Sequence, residues 1–380
     1  MILEQLASNM NIRQYLKDLG VDSGGIEILA SKAQLYCIAI KKLHVGGANI
    51  LKQDALSIGA DLAVPRGTVI AEKKEVDCLL IATRKHLKIL AKKERAQPFG
   101  LQEVGAYLQK VISVNKPEKT AIMGIINAND DSFFSGSRFK DANAIAKIEA
   151  MIEDGADSID IGGVSSRPNA PVVSAAEELA RVKPILEAIK HSKLFEKVQF
   201  SIDSYTPCVI AQALESGFEI VNDITGLADD EVCRLCASYN ANAVIMHMQG
   251  TPQTMQNNPY YDDVLDDVYH FLDERVQKAE AFGVQKITLD VGIGFGKTLE
   301  DNISLIKNLE HFLSLDKPLL VGASRKSMID KIFPSEVSQR LSGTLALHLE
   351  AVRNGASVLR VHDVYEHKQA LEVYKALESF

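Results

Sequence analysis

From about residue 119 onward the chain repeats one pattern. A short apolar run is followed by a polar break, then by a longer stretch with apolar positions at helical spacing. The runs are TAIMGII, SIDIGG, KVQFSID, FEIVND, NAVIMHM, KITLDV, KPLLVGA and SVLRVH. Their length and sharp polar boundaries predict buried strands. Segments such as DANAIAKIEAMIEDGAD, TPCVIAQALESGF and SGTLALHLEAVRNGA predict the helices between them. Strands alternating with helices make parallel βαβ units with right-handed crossovers. Eight units over roughly 260 residues predict a (β/α)8 TIM barrel spanning residues 116–380, since such barrels need about 250. An open doubly wound sheet is the competitor, but it usually carries a Gly-rich dinucleotide turn after its first strand, and GIINANDDSF is not one.

Residues 1–115 follow a different pattern. AQLYCIAIKKL and VDCLLIAT predict strands, while ANILKQDALSIGAD, RKHLKILAKKERA and GLQEVGAYLQKVI predict helices. The reading is a small α/β accessory domain of unassigned chemistry, followed by a linker around SVNKPEKT. HVGGAN could be a phosphate-binding turn, but a plain turn with Asn49 capping the next helix is preferred.

Composition narrows the function classes. The chain is 46% hydrophobic and 24% charged, ordinary for a globular protein. A formal net charge of -8 argues against general nucleic-acid binding. No apolar stretch is long enough for a membrane span, and the first residues lack a secretory pattern, so a cytoplasmic location is expected. The five cysteines are scattered, as in reduced cytosolic proteins. Cys233 and Cys236 form a C-x-x-C without a second pair, which reads as one apolar helix face.

Polar residues gather where the predicted strands end, the position of catalytic groups in such barrels. Asn127 follows the first run, and VSSRPNAP follows the second. Asp203 ends the third, Asn222 and Asp223 the fourth, and Met246 and His247 the fifth. Asp290 ends the sixth, SRKS follows the seventh, and the eighth carries Arg360 and His362. Singly, each has a plain explanation as a cap or turn residue. As a set they divide by sign, with acids and amides on runs three, four and six and cations after seven and eight. A ligand rich in donors at one end and anionic at the other matches that division. Arg360 and His362 also share a face of one strand, which is costly unless something opposes them.

The stretches IMGIINANDDSFFSGSRF, DIGGVSSRPNAP, SIDS, NDITG, MHMQGTPQTMQ, LDVGIGFGK, GASRKSMI and RVHDV resemble, in order, the dihydropteroate synthases of the pterin-binding barrel family. ANILKQDALSIGADLAV resembles the preceding domain of longer bacterial members. The resemblance implies transfer of a dihydropterin-methyl group from its diphosphate to 4-aminobenzoate in folate biosynthesis, with diphosphate released. It implies that Asp290 grips the pterin, with Asp203 and Asn222 along the ring edge and Lys326 donating to it. Met246 and Phe295 would wall the ring. Arg360, His362 and Ser166 would hold the diphosphate, and Asn127 would ligate Mg²⁺. Ser166, Arg167, Ser327 and Phe133 would lie on the 4-aminobenzoate side, and the protein would be a homodimer. Lys326, Arg360 and His362 are the expected catalytic groups.

Departures from the family pattern are Asp130 for a common proline, Val164 for a common glutamate and Val291 for a common proline. Loss of the proline frees the first loop's backbone. Two rival readings are a pterin-dependent methyltransferase barrel and a catalytically silent pterin-binding scaffold. The pairing of SRKS with RVHDV opposes the first, because a methyl carrier has no diphosphate to hold. Asn127, Arg360 and His362 together oppose the second.

Overall fold

Alternation decides the first sheet. Val76, Cys78, Leu80 and Ala82 are buried at every second position of one strand, while the residues between them face outward or are partly covered. In the computed structural model of the chain, β1 (Leu35–His44), β2 (Asp61–Ala63) and β3 (Glu75–Thr83) pair antiparallel in the order β1-β3-β2. The structure describes residues 3–4, 6–7, 10–128, 138–165 and 170–379, with side chains at all of these except 138–143 and 379. The chain divides into two units: Met1–Asn115 with Lys375–Phe380, and Lys116–Tyr374.

In the first unit, the register of β1 against β3 shifts between Ile40 and Leu43, where Lys42 takes a φ of 51°. The Lys42 N–H donates to Asp77 Oδ1 at 2.8 Å, so the bulge leaves its amide satisfied. The helices Val45–Ser57, Arg84–Glu94 and Leu101–Ser113 bury Leu51, Leu87, Leu90, Leu101 and Leu108 against Leu80 and Leu43. Asn49 is not the cap. The helix begins at Val45, and His44 Nδ1 accepts from the Gly46 N–H at 3.0 Å. Asn49 lies inside the helix and donates to the Thr68 carbonyl at 3.1 Å. Two helices, Ile12–Asp18 and Ser23–Ala33, and the three-residue β2 complete the unit.

All eight apolar runs of the second unit become strands. They are β4 (Ala121–Asn127), β5 (Ser158–Gly162), β6 (Gln199–Asp203), β7 (Ile220–Asp223), β8 (Asn242–Met246), β9 (Lys286–Asp290), β10 (Leu319–Val321) and β11 (Val358–Val361). They close into a parallel barrel in the order β10-β11-β4-β5-β6-β7-β8-β9. Helices follow the strands, among them Ala175–Ser192, Pro207–Glu215, Val264–Ala281 and Leu341–Arg353. Pro207 sits in the first turn of its helix, where its missing N–H costs no bond. Cys233 and Cys236 are buried on one face of Asp230–Ser238, and both thiols are free. Met123, Ile220, Val244 and Leu320 form an apolar plug inside the barrel, with Val358 packed against it. Among the described residues, no helix is long and apolar enough to cross a membrane.

Candidate active site

Parallel strands end at one rim, and side chains two residues apart point the same way. Above the apolar plug, this places Asp160 of β5, Asp203 of β6, Asn222 of β7 and Arg360 of β11 in one polar ring. Arg360 Nε donates to Asp160 Oδ2 at 2.6 Å, and Arg360 Nη2 donates to Asp203 Oδ2 at 2.6 Å. Asn222 Nδ2 donates to the same Asp160 oxygen at 3.1 Å. The cation on β11 is therefore opposed across the barrel by two acids. The division into an acidic side and a basic side is not kept.

Burial works against the Arg360 cation, but the two carboxylates outweigh it and hold it above its usual range. Burial pushes the Asp203 carboxyl up to about 7; Arg360 opposes the rise, and Asp160, Glu178 and Asp223 add to it. One guanidinium thus serves two acids, of which Asp160 is fully buried and Asp203 half-buried. Asp160 Oδ1 and Ser201 Oγ are buried without a hydrogen-bond partner among the described residues. Arg360 uses two of its five N–H donors in these bonds.

Asp290, the last residue of β9, is buried. Its Oδ1 accepts from the Gly292 N–H at 2.7 Å. Gly292 has a φ of +69°, and a Cβ there would lie 1.8 Å from the His247 carbonyl oxygen, so only glycine fits this turn. Burial raises the Asp290 carboxyl, while Lys326, the Gly292 N–H, Lys297 and Arg360 pull it down. Lys326 is half-buried, its Nζ 4.5 Å from the centre of the Phe295 ring, and it donates to the Ile293 carbonyl. Burial lowers its ammonium to about 8 against the pull of Asp290. Met246, at the end of β8, is buried beside this turn.

Lys297 was not singled out from the sequence. It is 1% exposed, and its Nζ lies 2.8 Å from His247 Nδ1, 3.0 Å from the Phe295 carbonyl and 3.4 Å from the His247 carbonyl. Burial, with Lys297 adding to it, depresses His247 to about 2. The imidazole is therefore neutral, and Nδ1 accepts.

Hydrogen bonds from several of its residues hold the turn after β10. The Ala323 N–H donates to His348 Nε2 at 3.0 Å, and the Arg325 N–H donates to Thr344 Oγ1 at 2.9 Å. Arg325 forms an ion pair with Asp363. Ser324 Oγ lies 2.9 Å from His362 Nδ1 and accepts from the His362 N–H at 3.2 Å. Ser327 is exposed and Asn127 half-buried. Asp223 accepts from the Thr225 N–H at 2.6 Å, the Thr225 hydroxyl at 2.7 Å and the Leu227 N–H at 3.1 Å. It is a turn-closing residue, as the plain reading of strand-end acids allows. Ser166, Arg167 and Phe133 lie outside the described residues. A cleft beside the ring is lined by Val164, Ser165, Val172, Asp203, Tyr205 and Gln253.

Asp160 was also missed, although a signal existed. An arginine inside a strand needs a buried acid, and Asp160 is an acid within the apolar run SIDIGG. Lys297 had only a weak signal. The glycines before it let the backbone fold tightly enough to bury it.

The pterin binding enzyme family matches residues 123–362. The bifunctional dihydropteroate synthase/dihydropteroate reductase of Helicobacter pylori is 40% identical over 367 residues, 97% of each chain. The dihydropteroate synthase of Haemophilus influenzae is 42% identical over 70% of this chain and 96% of its own. The dihydropteroate synthase of Xanthomonas albilineans, solved with 4-aminobenzoic acid, superposes with a TM-score of 0.64 at 36% identity. That likeness covers 69% of this chain and 94% of the other.

Proposed function

We propose a reaction for this chain on one premise: it belongs to the pterin binding enzymes and, within them, to the dihydropteroate synthases. The barrel joins (7,8-dihydropterin-6-yl)methyl diphosphate to 4-aminobenzoate. The methylene–oxygen bond breaks, diphosphate leaves with the electron pair, the amine nitrogen bonds to the methylene carbon, and its proton passes to solvent. The observation that carries this reading is a buried acid, Asp290, opposed by Lys326 above the Phe295 ring, at the rim that also holds Arg360.

The roles are those that the family resemblance implies, and the chemistry of each residue type supports them. A pterin offers an N–H and an amine side by side, which one carboxylate accepts, so Asp290 grips the ring. Asp203 and Asn222 read the remaining edge, Lys326 donates to it, and Met246 and Phe295 form its walls. Arg360 has three N–H donors beyond its bonds to the two acids, and with His362 it holds the diphosphate. Ser166 adds a hydroxyl there. Arg167, Phe133, Ser327 and Ser166 receive the aminobenzoate. Catalysis is stabilisation of the departing charge.

Asn127 fits Mg²⁺ as a single neutral oxygen donor at the rim. Among the described residues no cluster of His, Cys, Asp and Glu could hold a metal alone, and this ion is commonly shared with phosphate oxygens and water. When bound, it supplies neutralisation of diphosphate charge. A cytoplasmic homodimer completes the reading. In the test, purified protein receives both substrates and Mg²⁺. Diphosphate release that depends on the amine, with dihydropteroate formed, supports it; absence of dihydropteroate overturns it.

A second reading concerns the first unit. The Helicobacter relative, named for a reductase as well, aligns over 97% of this chain and so reaches into residues 1–115. The reading is reduction of dihydropteroate to tetrahydropteroate, with two electrons and two protons taken from an external reductant. Its test is tetrahydropteroate formation when the purified protein receives dihydropteroate and a reductant, compared with the reductant alone.

A further inference from the structure

We propose that Lys297 is a positioning residue of the synthase reaction: it ties together the two apolar walls of the pterin slot and sets a second cation behind Asp290. The inference rests on the reading of Asp290 as the pterin-gripping carboxylate.

The geometry closes on itself. Lys297 Nζ reaches His247 Nδ1 at 2.8 Å and the His247 carbonyl at 3.4 Å, and His247 directly follows Met246, one wall. The same ammonium reaches the carbonyl of Phe295, the other wall, at 3.0 Å. Its three donors therefore bridge the end of β8 and the turn after β9. The nitrogen also lies 3.3 Å from where a Gly292 Cβ would stand, and Gly292 supplies the N–H bonded to Asp290 Oδ1 at 2.7 Å. The His247 N–H donates to the Asp290 carbonyl at 2.9 Å. One buried ammonium thus abuts both the residue that bonds the Asp290 carboxylate and the residue that bonds its main-chain carbonyl.

The electrostatics agree. Asp290 faces Lys326, Lys297 and Arg360 together with the Gly292 N–H, and all four favour its charged form against burial. Lys297 faces Asp290, Lys326 and Asp301, and burial lowers it to about 7. Its charge grows as pH falls, the same direction in which burial favours protonation of Asp290. Lys326 approaches the substrate and Lys297 does not, so the two lysines have separate duties.

The experiment compares wild type with Lys297→Met and Lys297→Gln in the full chain. It measures equilibrium binding of (7,8-dihydropterin-6-yl)methyl diphosphate and steady-state kinetics from pH 5.5 to 8.5, with thermal melting alongside. The expected result is at least a tenfold rise in KM for the pterin substrate, with a smaller change in KM for 4-aminobenzoate. The acid limb of pterin affinity should also move to higher pH, because Asp290 has lost a cation. Lys297→Gln keeps hydrogen-bond donors without the charge, so it should move the acid limb while melting near wild type. An unmoved acid limb with unchanged KM in a folded variant overturns the proposal. So does unfolding of both variants, which would make Lys297 a core residue only. A wild type that binds the pterin but makes no dihydropteroate counts against the reaction; affinity still reads the role of Lys297.

Discussion

The rim of the barrel and the interior of the first unit both bury acids, but they neutralise them in opposite ways. At the rim, Asp160 and Asp203 share Arg360, and Asp290 is opposed by two lysines and an arginine. In the first unit, Glu94 is fully buried, and a hydrogen bond with Asp54 favours its protonated form. Its charged neighbours are another acid, Asp54, and Lys93, which pairs with Asp54 at 2.7 Å. The first arrangement sets cations against burial and aims them where a ligand can meet them, while burial still pushes Asp203 up to about 7. The second removes a charge by retaining a proton, since burial and Asp54 raise Glu94 to about 7. Buried acids are informative about function mainly where cations are buried with them.

The largest expected effect comes from breaking the rim pairing. Arg360→Ala leaves Asp160 and Asp203 buried without their cation, which costs about 3–5 kcal/mol of stability. It also removes the diphosphate clamp, so synthase turnover should fall by about two orders of magnitude or more in whatever folds. Urea unfolding and steady-state kinetics measure the two losses. Unchanged stability would mean that the pairs are not formed in solution.

Glu94→Gln tests the other side of the comparison. The raised carboxyl favours folding below its unfolded value of 4.5, and that contribution is lost as pH rises towards about 7. Glutamine carries no such titration. The stability difference between variant and wild type should therefore shift in favour of the variant by about 2–3 kcal/mol from pH 5 to pH 8. Hydrogen exchange of the Arg84–Glu94 amides reads it. A pH-independent difference would place Glu94 among ordinary ionised acids.

Asp290→Asn is next. It replaces a charge-assisted acceptor by a neutral amide, so pterin affinity should fall by about 1.5–3 kcal/mol. Titration calorimetry with the pterin substrate checks this, and tight binding by the variant would take Asp290 out of the slot.

These residues were not equally legible. The eight strands could be read because each buried run is short, apolar and closed by polar residues. Asp290, Asn222 and Arg360 could be read because strand-end position follows from the barrel. The Asp160–Arg360 bond joins residues 200 positions apart, and no local pattern carries a pairing at that range. Lys297 reads as an exposed lysine in a glycine-rich loop until Gly292 and Gly296, both at positive φ, fold the chain over it. In the first unit, β2 and Ile12–Asp18 contain too few residues for periodicity to register. Asn49 was a stronger cap by residue type than His44, but the helix starts directly after the strand, and the residue at that junction does the capping.

The smallest effect lies in two histidines behind the β10 turn. His367 Nδ1 donates to the Asp363 carbonyl at 2.6 Å, leaving Nε2 to accept from His348 Nδ1 at 2.8 Å, and His348 Nε2 accepts from the Ala323 N–H. Every donor meets an acceptor only when both rings are neutral. Burial lowers both, reinforced at His348 by His367, Lys326 and His362 and opposed at His367 by Asp363 and Glu366. The relay is intact above the unfolded histidine value of 6.5. Stability falls as pH drops below it, because the unfolded chain takes protons that the relay refuses. His348→Ala strands the Ala323 N–H and should cost about 1–2 kcal/mol at pH 8. Below pH 6.5 its stability should fall less steeply than wild type, by up to about 1.4 kcal/mol per pH unit for the histidine removed. Urea unfolding at pH 8 and pH 5.5 gives both quantities; equal slopes would show that a ring in the relay already carries a proton.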